Sequence, residues 1–235
     1  MVGLPGAPGV RVAVEGLAVS ALKASGPVVV VPAAGRGSRF QGAGHKLGQS
    51  LGDAPVLART LENVIASGLP LVVVTTAELV PIARAVVAAR DIVLLPPVGS
   101  ASREPLGMGY TIACGVHARA NAPGWLILPG DMPLVRPETL TAVARTLSQY
   151  PVVYPQFRGR RGHPVGFSVE LYTELIKLQG DEGARRLLAR YPSQALDLDD
   201  PGVLIDVDTD GDLERARRLH AGAELEEAPS LGRSA

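Results

Sequence analysis

A loop after the first apolar run combines small and basic residues: Ala33, Ala34, Gly35, Arg36 and Gly37, then Arg39 and Lys46. Small residues let a backbone approach a phosphate closely, so that its N–H groups can form a nest for the anion. Arg39 and Lys46 would add the positive charge that a triphosphate needs. The loop lacks a dinucleotide fingerprint, because Phe40 occupies the position where that motif needs its last glycine. It also lacks a P-loop, because that motif needs a glycine directly before the lysine and this loop has His45 there. It therefore predicts either a phosphate loop of another kind or only a tight turn.

Acidic residues in two further segments could hold a divalent cation. Asp131 directly follows an apolar run, and Mg²⁺ prefers oxygen ligands of this kind, which it shares with substrate phosphates. Asp206 lies within a predicted strand, Val203–Val207, and Asp208 directly follows it, so strand alternation would put both carboxylates on one face. Asp210 is predicted to cap the last helix.

A basic loop, Phe157–Gly162, carries Arg161 and leads to His163. Arginine suits bidentate contacts with phosphate, and the neighbouring glycines would allow close approach. The alternative is a solvated hairpin loop with a structural histidine, and taken alone the segment favours that interpretation. His45 has no metal-ligand spacing and is assigned to the surface.

The elements that must position these residues alternate along the chain. Apolar, β-branched runs without polar alternation predict strands buried on both faces; they are Val28–Val31, Leu71–Thr75, Ile92–Leu95 and Trp125–Leu128. Helical spacing lies between or after them, at Val56–Ser67, Leu79–Ala89, Met108–Ala118 and Pro137–Tyr150. This order predicts an α/β fold with a mostly parallel sheet and helices on both faces.

The second half of the chain is less regular. It predicts strands at Val152–Pro155, His163–Phe167, Ala195–Leu198 and Val203–Val207, and helices at Val169–Leu178, Glu182–Arg190 and Asp210–His220. We expect an N-terminal extension over residues 1–26, one domain over 27–220 and a C-terminal tail over 221–235.

The composition narrows the class of protein. The formal net charge is zero, which argues against a nucleic-acid-binding surface. No apolar run approaches the roughly 18 residues that a membrane span needs, and no signal peptide is evident. The single cysteine, Cys114, excludes a disulfide within the chain. We therefore expect a cytoplasmic protein with no membrane or nucleic-acid partner.

Taken in order, the motifs resemble the molybdenum cofactor nucleotidyltransferases, most closely the cytidylyltransferase branch. They are the Ala33–Arg39 loop with Lys46, Gly52-x-x-Pro55-x-Leu57, Gly107-Met108, Gly130-Asp131-x-Pro133, Arg161–Pro164, Gly180–Arg185, and Asp206-x-Asp208-Thr209-x-x-Asp212-Leu213. The resemblance spans Pro27 to Leu219. It departs from the family where Gln41–His45 lengthens the first loop by about two residues.

The resemblance implies a Rossmann-like nucleotidyltransferase with three αβα layers. It implies Mg²⁺-dependent transfer of CMP from CTP to the terminal phosphate of the molybdenum cofactor, with release of pyrophosphate, and a transient contact with a molybdoenzyme. The Ala33–Ala34–Gly35 form leans towards CTP over GTP. By similarity, the residues divide into nucleotide-binding Ala33, Ala34, Gly35, Arg36, Gly37, Gly107 and Met108; catalytic Arg39, Lys46 and Asp131; acceptor-binding Arg161 and His163; and metal-binding Asp131, Asp208 and Asp206.

Two alternatives stay open. The acceptor could be another phosphorylated compound, such as a sugar phosphate, methylerythritol phosphate or phospholactate, because a fold does not determine its substrate. The protein could also be a nucleotide- or cofactor-binding chaperone without catalysis. The presence of Lys46, Asp131 and Asp208 favours an enzyme.

Overall fold

A computed structural model describes residues 26–35, 37, 39–96, 107–181 and 183–222. Arg36, residues 1–25 of the predicted N-terminal extension and residues 223–235 of the predicted tail lie outside them. The strands are β1 Val28–Ala33, β2 Ser50–Leu51, β3 Ala54–Pro55, β4 Leu71–Thr75, β5 Ile92–Leu94, β6 Gly124–Ile127, β7 Val152–Phe157, β8 Arg160–Arg161, β9 Val165–Ser168 and β10 Ser193–Asp197. The α-helices are α1 Val56–Ala66, α2 Val80–Val86, α3 Met108–Ala118, α4 Pro137–Thr146, α5 Tyr172–Leu175, α6 Arg185–Arg190 and α7 Asp210–His220.

One large sheet has the strand order β10-β7-β9-β6-β1-β4-β5, with β8 folded back on β7. Strand β9 runs antiparallel to both of its neighbours, while β1 pairs in parallel with β4 and β6, and β5 and β10 pair in parallel with their neighbours. The predicted α/β fold with a mostly parallel sheet is confirmed. The carboxyl ends of β1, β4 and β6 lie at one edge, where ligands bind in open α/β sheets.

The core lies on both faces of this sheet, because the central strands β1, β4 and β6 are almost entirely apolar and are buried at every position. Val29 and Val31 of β1 face the cluster formed with α1, α2, α4 and α7, whereas Val28 and Val30 face the cluster formed with α3, α5 and α6. Helices on both faces of the sheet make three layers, as expected. None of the described helices is long and apolar enough to cross a membrane.

The predicted strand Val203–Val207 is wrong. Residues Pro201–Leu204 form a 3-10 turn, which begins with proline and is capped by the Asp200 carboxylate accepting a hydrogen bond from the Gly202 N–H at 3.0 Å. Gly202 lies so close to the Leu134 backbone that a side-chain Cβ would overlap it. The alternation argument for Asp206 and Asp208 therefore does not apply.

Other boundaries differ for local reasons. Thr209, not Asp210, caps α7, because its hydroxyl accepts from the Asp212 N–H at 3.2 Å while the Asp212 carboxylate accepts from the Thr209 N–H at 2.8 Å. The predicted helix Val169–Leu178 is a 3-10 turn, Val169–Leu171, followed by the single turn of α5. The basic loop is partly a strand, since Arg160–Arg161 pairs back onto β7.

Candidate active site

A cleft of about 780 Å³ opens at the carboxyl edge of the sheet. It brings together all the described residues that the sequence nominated: Ala33, Ala34, Gly35, Gly37, Arg39, Lys46, Gly107, Met108, Asp131, Arg161, His163, Asp206 and Asp208. Arg36 lies outside the described residues. The roles assigned to these side chains stay predictions, while their convergence in one cleft is a property of the fold.

Asp131 is held by the backbone around it. The chain continues beside β1 after β6 ends, with the Gly130 N–H donating to the Pro32 carbonyl at 3.0 Å. The Thr60 hydroxyl, on α1, donates to the Gly130 carbonyl at 2.9 Å, and the Val207 N–H donates to the Asp131 carbonyl at 2.9 Å. These bonds fix the carboxylate at the end of the strand and tie it to the segment that carries Asp208.

Lys46 lies between two carboxylates. It begins a 3-10 turn, Lys46–Gly48, and its Nζ donates to Asp131 Oδ2 at 2.6 Å and to Asp208 Oδ1 at 2.5 Å. Arg39 donates to the other oxygen of Asp208 at 2.6 Å. Burial acts to lower the pKa of Lys46, but the charges and hydrogen bonds of the two aspartates outweigh it and raise that pKa above its ordinary value. The lysine is therefore charged at neutral pH.

His45 joins the two ends of the first loop. Its Nδ1 accepts from the Leu47 N–H at 3.1 Å, so its Nε2 carries the proton and donates to the Gly35 carbonyl at 2.9 Å. Sequence reasoning placed this histidine at the surface. Its only signal was its position directly before Lys46, inside the lengthened part of the loop.

One wall of the cleft is acidic and carries Asp131, Asp206 and Asp208. This acidic wall does not by itself supply a complete set of metal ligands. Burial raises the pKa of Asp206, and the charges of Asp131 and Asp208 act in the same direction. Among the described residues, no three acidic, histidine or cysteine side chains group closely enough to hold a metal, so the predicted trio does not form a closed site. Asp131 Oδ1 is nevertheless buried without a hydrogen-bond partner. A buried carboxylate oxygen of this kind fits an Mg²⁺ ion that takes its remaining ligands from substrate phosphates.

A second wall of the cleft is basic. Arg160 and Arg161 line the cleft, and the guanidinium of Arg161 stacks over the Tyr154 ring at 4.4 Å from its centroid. Burial lowers the pKa of His163 below its ordinary 6.5, although the charge of Asp131 opposes the shift. The ring is thus neutral at pH 7 and can donate one hydrogen bond to a ligand.

A third wall is formed where α3 begins. The Gly109 N–H donates to the Gly180 carbonyl at 2.8 Å, and a side chain at Gly107 would overlap the Gly180 backbone. This contact brings Asp181 to the cleft. The sequence placed Asp181 within a motif but gave it no role.

Asp200 lies outside the cleft and supports the segment that carries Asp206 and Asp208. It was not identified from the sequence. It is 2% exposed, and its Oδ2 accepts from the Arg136 N–H at 3.0 Å and from the Thr139 hydroxyl at 2.6 Å. Together with the bond from Gly202, this carboxylate connects the start of α4 to the turn that leads to Asp206.

Comparison with known proteins is consistent with this geometry. The model of the family described as "MobA-like NTP transferase domain" matches residues 29–195. The chain belongs to this family. As an NTP transferase, it is expected to bind a nucleotide, and the cleft lies within the matched region and the segment that follows it.

Relatives of this transferase cover most of the chain. Phosphoenolpyruvate guanylyltransferase of Mycolicibacterium smegmatis (strain ATCC 700084 / mc(2)155) is 33% identical over 174 residues, which are 71% of this chain and 74% of the relative. The structure of Rv0371c from Mycobacterium tuberculosis H37Rv has a TM-score of 0.70 and 27% identity, and covers 83% of this chain and 98% of its own. The structure of Rv0371c in complex with manganese has a TM-score of 0.64 and 26% identity, and covers 83% of this chain and 99% of its own.

Proposed function

We propose that this NTP transferase moves a nucleoside monophosphate from an NTP to the phosphate of a small acceptor and releases pyrophosphate. The observation that carries the proposal is the cluster of Lys46, Asp131 and Asp208, joined by contacts of 2.5 and 2.6 Å at the ligand edge of the sheet. A cytoplasmic location would suit this chemistry and the single cysteine.

In the proposed reaction, an oxygen of the acceptor phosphate attacks the α-phosphorus of the NTP. A bond forms between that oxygen and the α-phosphorus, while the bond from the α-phosphorus to the bridging oxygen breaks and pyrophosphate leaves with the electron pair. The attacking phosphate is already ionised, so no protein base is needed. The protein's task is positioning and charge stabilisation, which is where most of the catalysis of phosphoryl-type transfer comes from.

The nucleotide would lie on the first loop. The small residues Ala34 and Gly35 leave room for the phosphates next to the backbone, and Arg39 and Lys46 supply positive charge. Gly107 and Met108, at the start of α3, would contact the same nucleotide from the adjoining wall. Arg161 and His163 would bind the acceptor, because the stacked guanidinium and the neutral ring both offer hydrogen-bond donors.

A divalent cation is the proposed cofactor. The described lining of the cleft has four basic and four acidic side chains, so it has no net positive charge to offset a triphosphate. Asp131 and Asp208 would hold Mg²⁺, with Asp206 as the further candidate. The ion would stabilise the negative charge that develops on the phosphate oxygens.

For the substrates, we propose CTP and the molybdenum cofactor, as the order of motifs suggests. A second candidate is transfer of a guanylyl group to a phosphorylated carboxylic acid such as phosphoenolpyruvate. That candidate is favoured by the 33% identical relative, whose name gives this activity. The basic wall formed by Arg160 and Arg161 suits either acceptor, since both carry a phosphate.

The deciding experiment measures pyrophosphate release with Mg²⁺ for CTP, GTP, ATP and UTP, each offered with molybdenum cofactor, phosphoenolpyruvate or phospholactate. Release only with CTP and molybdenum cofactor is the expected result, and release with GTP and phosphoenolpyruvate would establish the second candidate. Nucleotide binding without pyrophosphate release, across these and further sugar phosphate and methylerythritol phosphate acceptors, would refute an enzymatic role and favour a chaperone.

A further inference from the structure

Lys46 lies where the proposed metal and the proposed nucleotide would both bind, and both would require its ammonium to leave the two aspartates. Its ammonium bridges Asp131 and Asp208, the two carboxylates proposed to hold Mg²⁺. The pairing is not a loose surface contact, because the three side chains are only 10%, 18% and 21% exposed. Partly buried ion pairs of this kind are screened far less than pairs in open water.

The same ammonium is also needed elsewhere. Lys46 is proposed to offset the charge of the triphosphate, yet two of its three N–H donors are already engaged by carboxylates. Arg39 is in a similar position, since it is paired with Asp208 while its side chain is 77% exposed. Both cations are thus committed to the acidic wall in the absence of a ligand.

Asp131 shows that the acidic wall can accept a further cation. Its Oδ2 is bound to Lys46, but its Oδ1 is buried without a partner. A divalent ion at this carboxylate would lie close to the ammonium, and like charges at such a separation repel strongly away from bulk water. The ion and the ammonium therefore compete for the same two aspartates.

We propose that Lys46 is a placeholder cation, which a divalent metal displaces from Asp131 and Asp208 and which then moves onto the triphosphate. The proposal rests on the proposed function for the identity of the ligands. Metal binding would release the positive charge that the nucleotide needs, so that metal and nucleotide promote each other's binding. By linkage, each raises the affinity of the other by the same factor.

The first test measures Mn²⁺ binding without nucleotide, by the electron paramagnetic resonance signal of free Mn²⁺. Lys46→Met removes the competing charge, and we expect it to bind Mn²⁺ at least fivefold more tightly than the wild type. Lys177→Met is the matched control, because it removes one exposed lysine outside the cleft and should leave Mn²⁺ affinity unchanged. An unchanged or weakened Mn²⁺ affinity in Lys46→Met would overturn the proposal.

The second test measures the affinity for α,β-methylene CTP, and in parallel for the GTP analogue, with and without Mn²⁺. Without metal, Lys46→Met should bind the analogue only a few-fold more weakly than the wild type, because the lysine is then held by the aspartates and its loss acts only through the charge that it no longer neutralises. With saturating metal, it should bind the analogue at least tenfold more weakly than the wild type. Equal weakening with and without metal would mean that Lys46 is free to contact phosphate at all times, which contradicts the placeholder role.

A third measurement uses the wild type alone and stays informative if Lys46→Met does not fold. The chain has three lysines, Lys23, Lys46 and Lys177, whose modification by an amine-acylating reagent can be followed separately by mass spectrometry. Saturating Mg²⁺ should speed the modification of Lys46 severalfold and leave Lys177 unchanged. No change at Lys46 would refute the displacement.

These outcomes are separable from those of the proposed function. Displacement of Lys46 together with no pyrophosphate release for any acceptor would retain the placeholder role and reject the reaction. Pyrophosphate release together with an unchanged Mn²⁺ affinity in Lys46→Met would retain the reaction and reject the placeholder.

Discussion

Asp200 lies behind the cleft, and replacing it with asparagine tests whether this buried carboxylate holds the acidic wall in place. One of its oxygens accepts from the Arg136 N–H and the Thr139 hydroxyl, and the other accepts from the Gly202 N–H. Asparagine has the same shape but keeps only one acceptor oxygen. Whichever way its amide turns, its NH₂ group faces a backbone N–H or a hydroxyl at a position that is 2% exposed.

The size of the effect follows from these contacts. A hydrogen bond to a charged group contributes about 1.5–3 kcal/mol, and at least one is lost while the others lose their charge. Removal of the buried charge offsets part of this loss. We therefore expect Asp200→Asn to lower the free energy of unfolding by about 2–4 kcal/mol, which for a chain of this size lowers the Tm by roughly 5–15 °C.

Urea and thermal unfolding at pH 7, followed by circular dichroism, measure this loss. The matched control is Asp199→Asn, which makes the same chemical change at the preceding, exposed residue and should stay within about 0.5 kcal/mol of the wild type. Equal stability of the two variants would refute the argument that Asp200 supports the wall.

Four further predictions concern the cleft. Asp131→Ala should lower kcat at least about 10³-fold with unchanged circular dichroism, because roughly 4 kcal/mol of charge stabilisation is lost; wild-type turnover would contradict its role. Burial lowers the pKa of His163, so the unfolded chain binds the proton more readily than the folded chain. The free energy of unfolding should therefore fall as the pH drops below about 6.5. In His163→Gln the part of this decrease that comes from the histidine should be absent in urea unfolding. Asp206→Asn should raise the Tm at neutral pH by roughly 1–3 °C, since burial and neighbouring carboxylates raise the pKa of Asp206 and disfavour its charge; a lower Tm would argue against that repulsion. His45→Ala should raise the KM for the NTP several-fold more than it lowers kcat, because the hydrogen bond to the Gly35 carbonyl is lost. An unchanged KM would show that the first loop keeps its conformation without His45.

The sequence determined the sheet and the order of the motifs. The run from Val28 to Val31 is apolar at every position, which predicts a strand buried on both faces, and the structure divides it between the two core clusters. Helix α3 has the predicted bounds, Met108–Ala118. These features depend on continuous apolar runs and on helical spacing of apolar residues, which are local and can be read from neighbouring residues. The rule that ligands bind at the carboxyl edge of such a sheet then located the cleft.

The less regular half of the chain was harder to predict because its elements depend on distant partners. Residues 203–207 are mostly apolar, as in a short buried strand, yet Asp200 caps a 3-10 turn over Pro201–Leu204 and Gly202 lies against the Leu134 backbone. Thr209 caps α7 in place of the expected Asp210, because Asp212 completes a reciprocal pair of bonds with it. A short apolar segment cannot by itself show which of these competing contacts forms.

Only the tertiary structure decided how the nominated residues meet. Lys46 contacts Asp131 and Asp208 across 85 and 162 positions of sequence, and no local pattern encodes these pairs. The sequence could identify these three residues, because a nucleoside triphosphate needs cations to offset its charge and carboxylates at strand ends to hold a divalent metal. It could not indicate that the lysine lies between the two carboxylates, because that depends on the packing of three separate segments, each held by its own backbone hydrogen bonds.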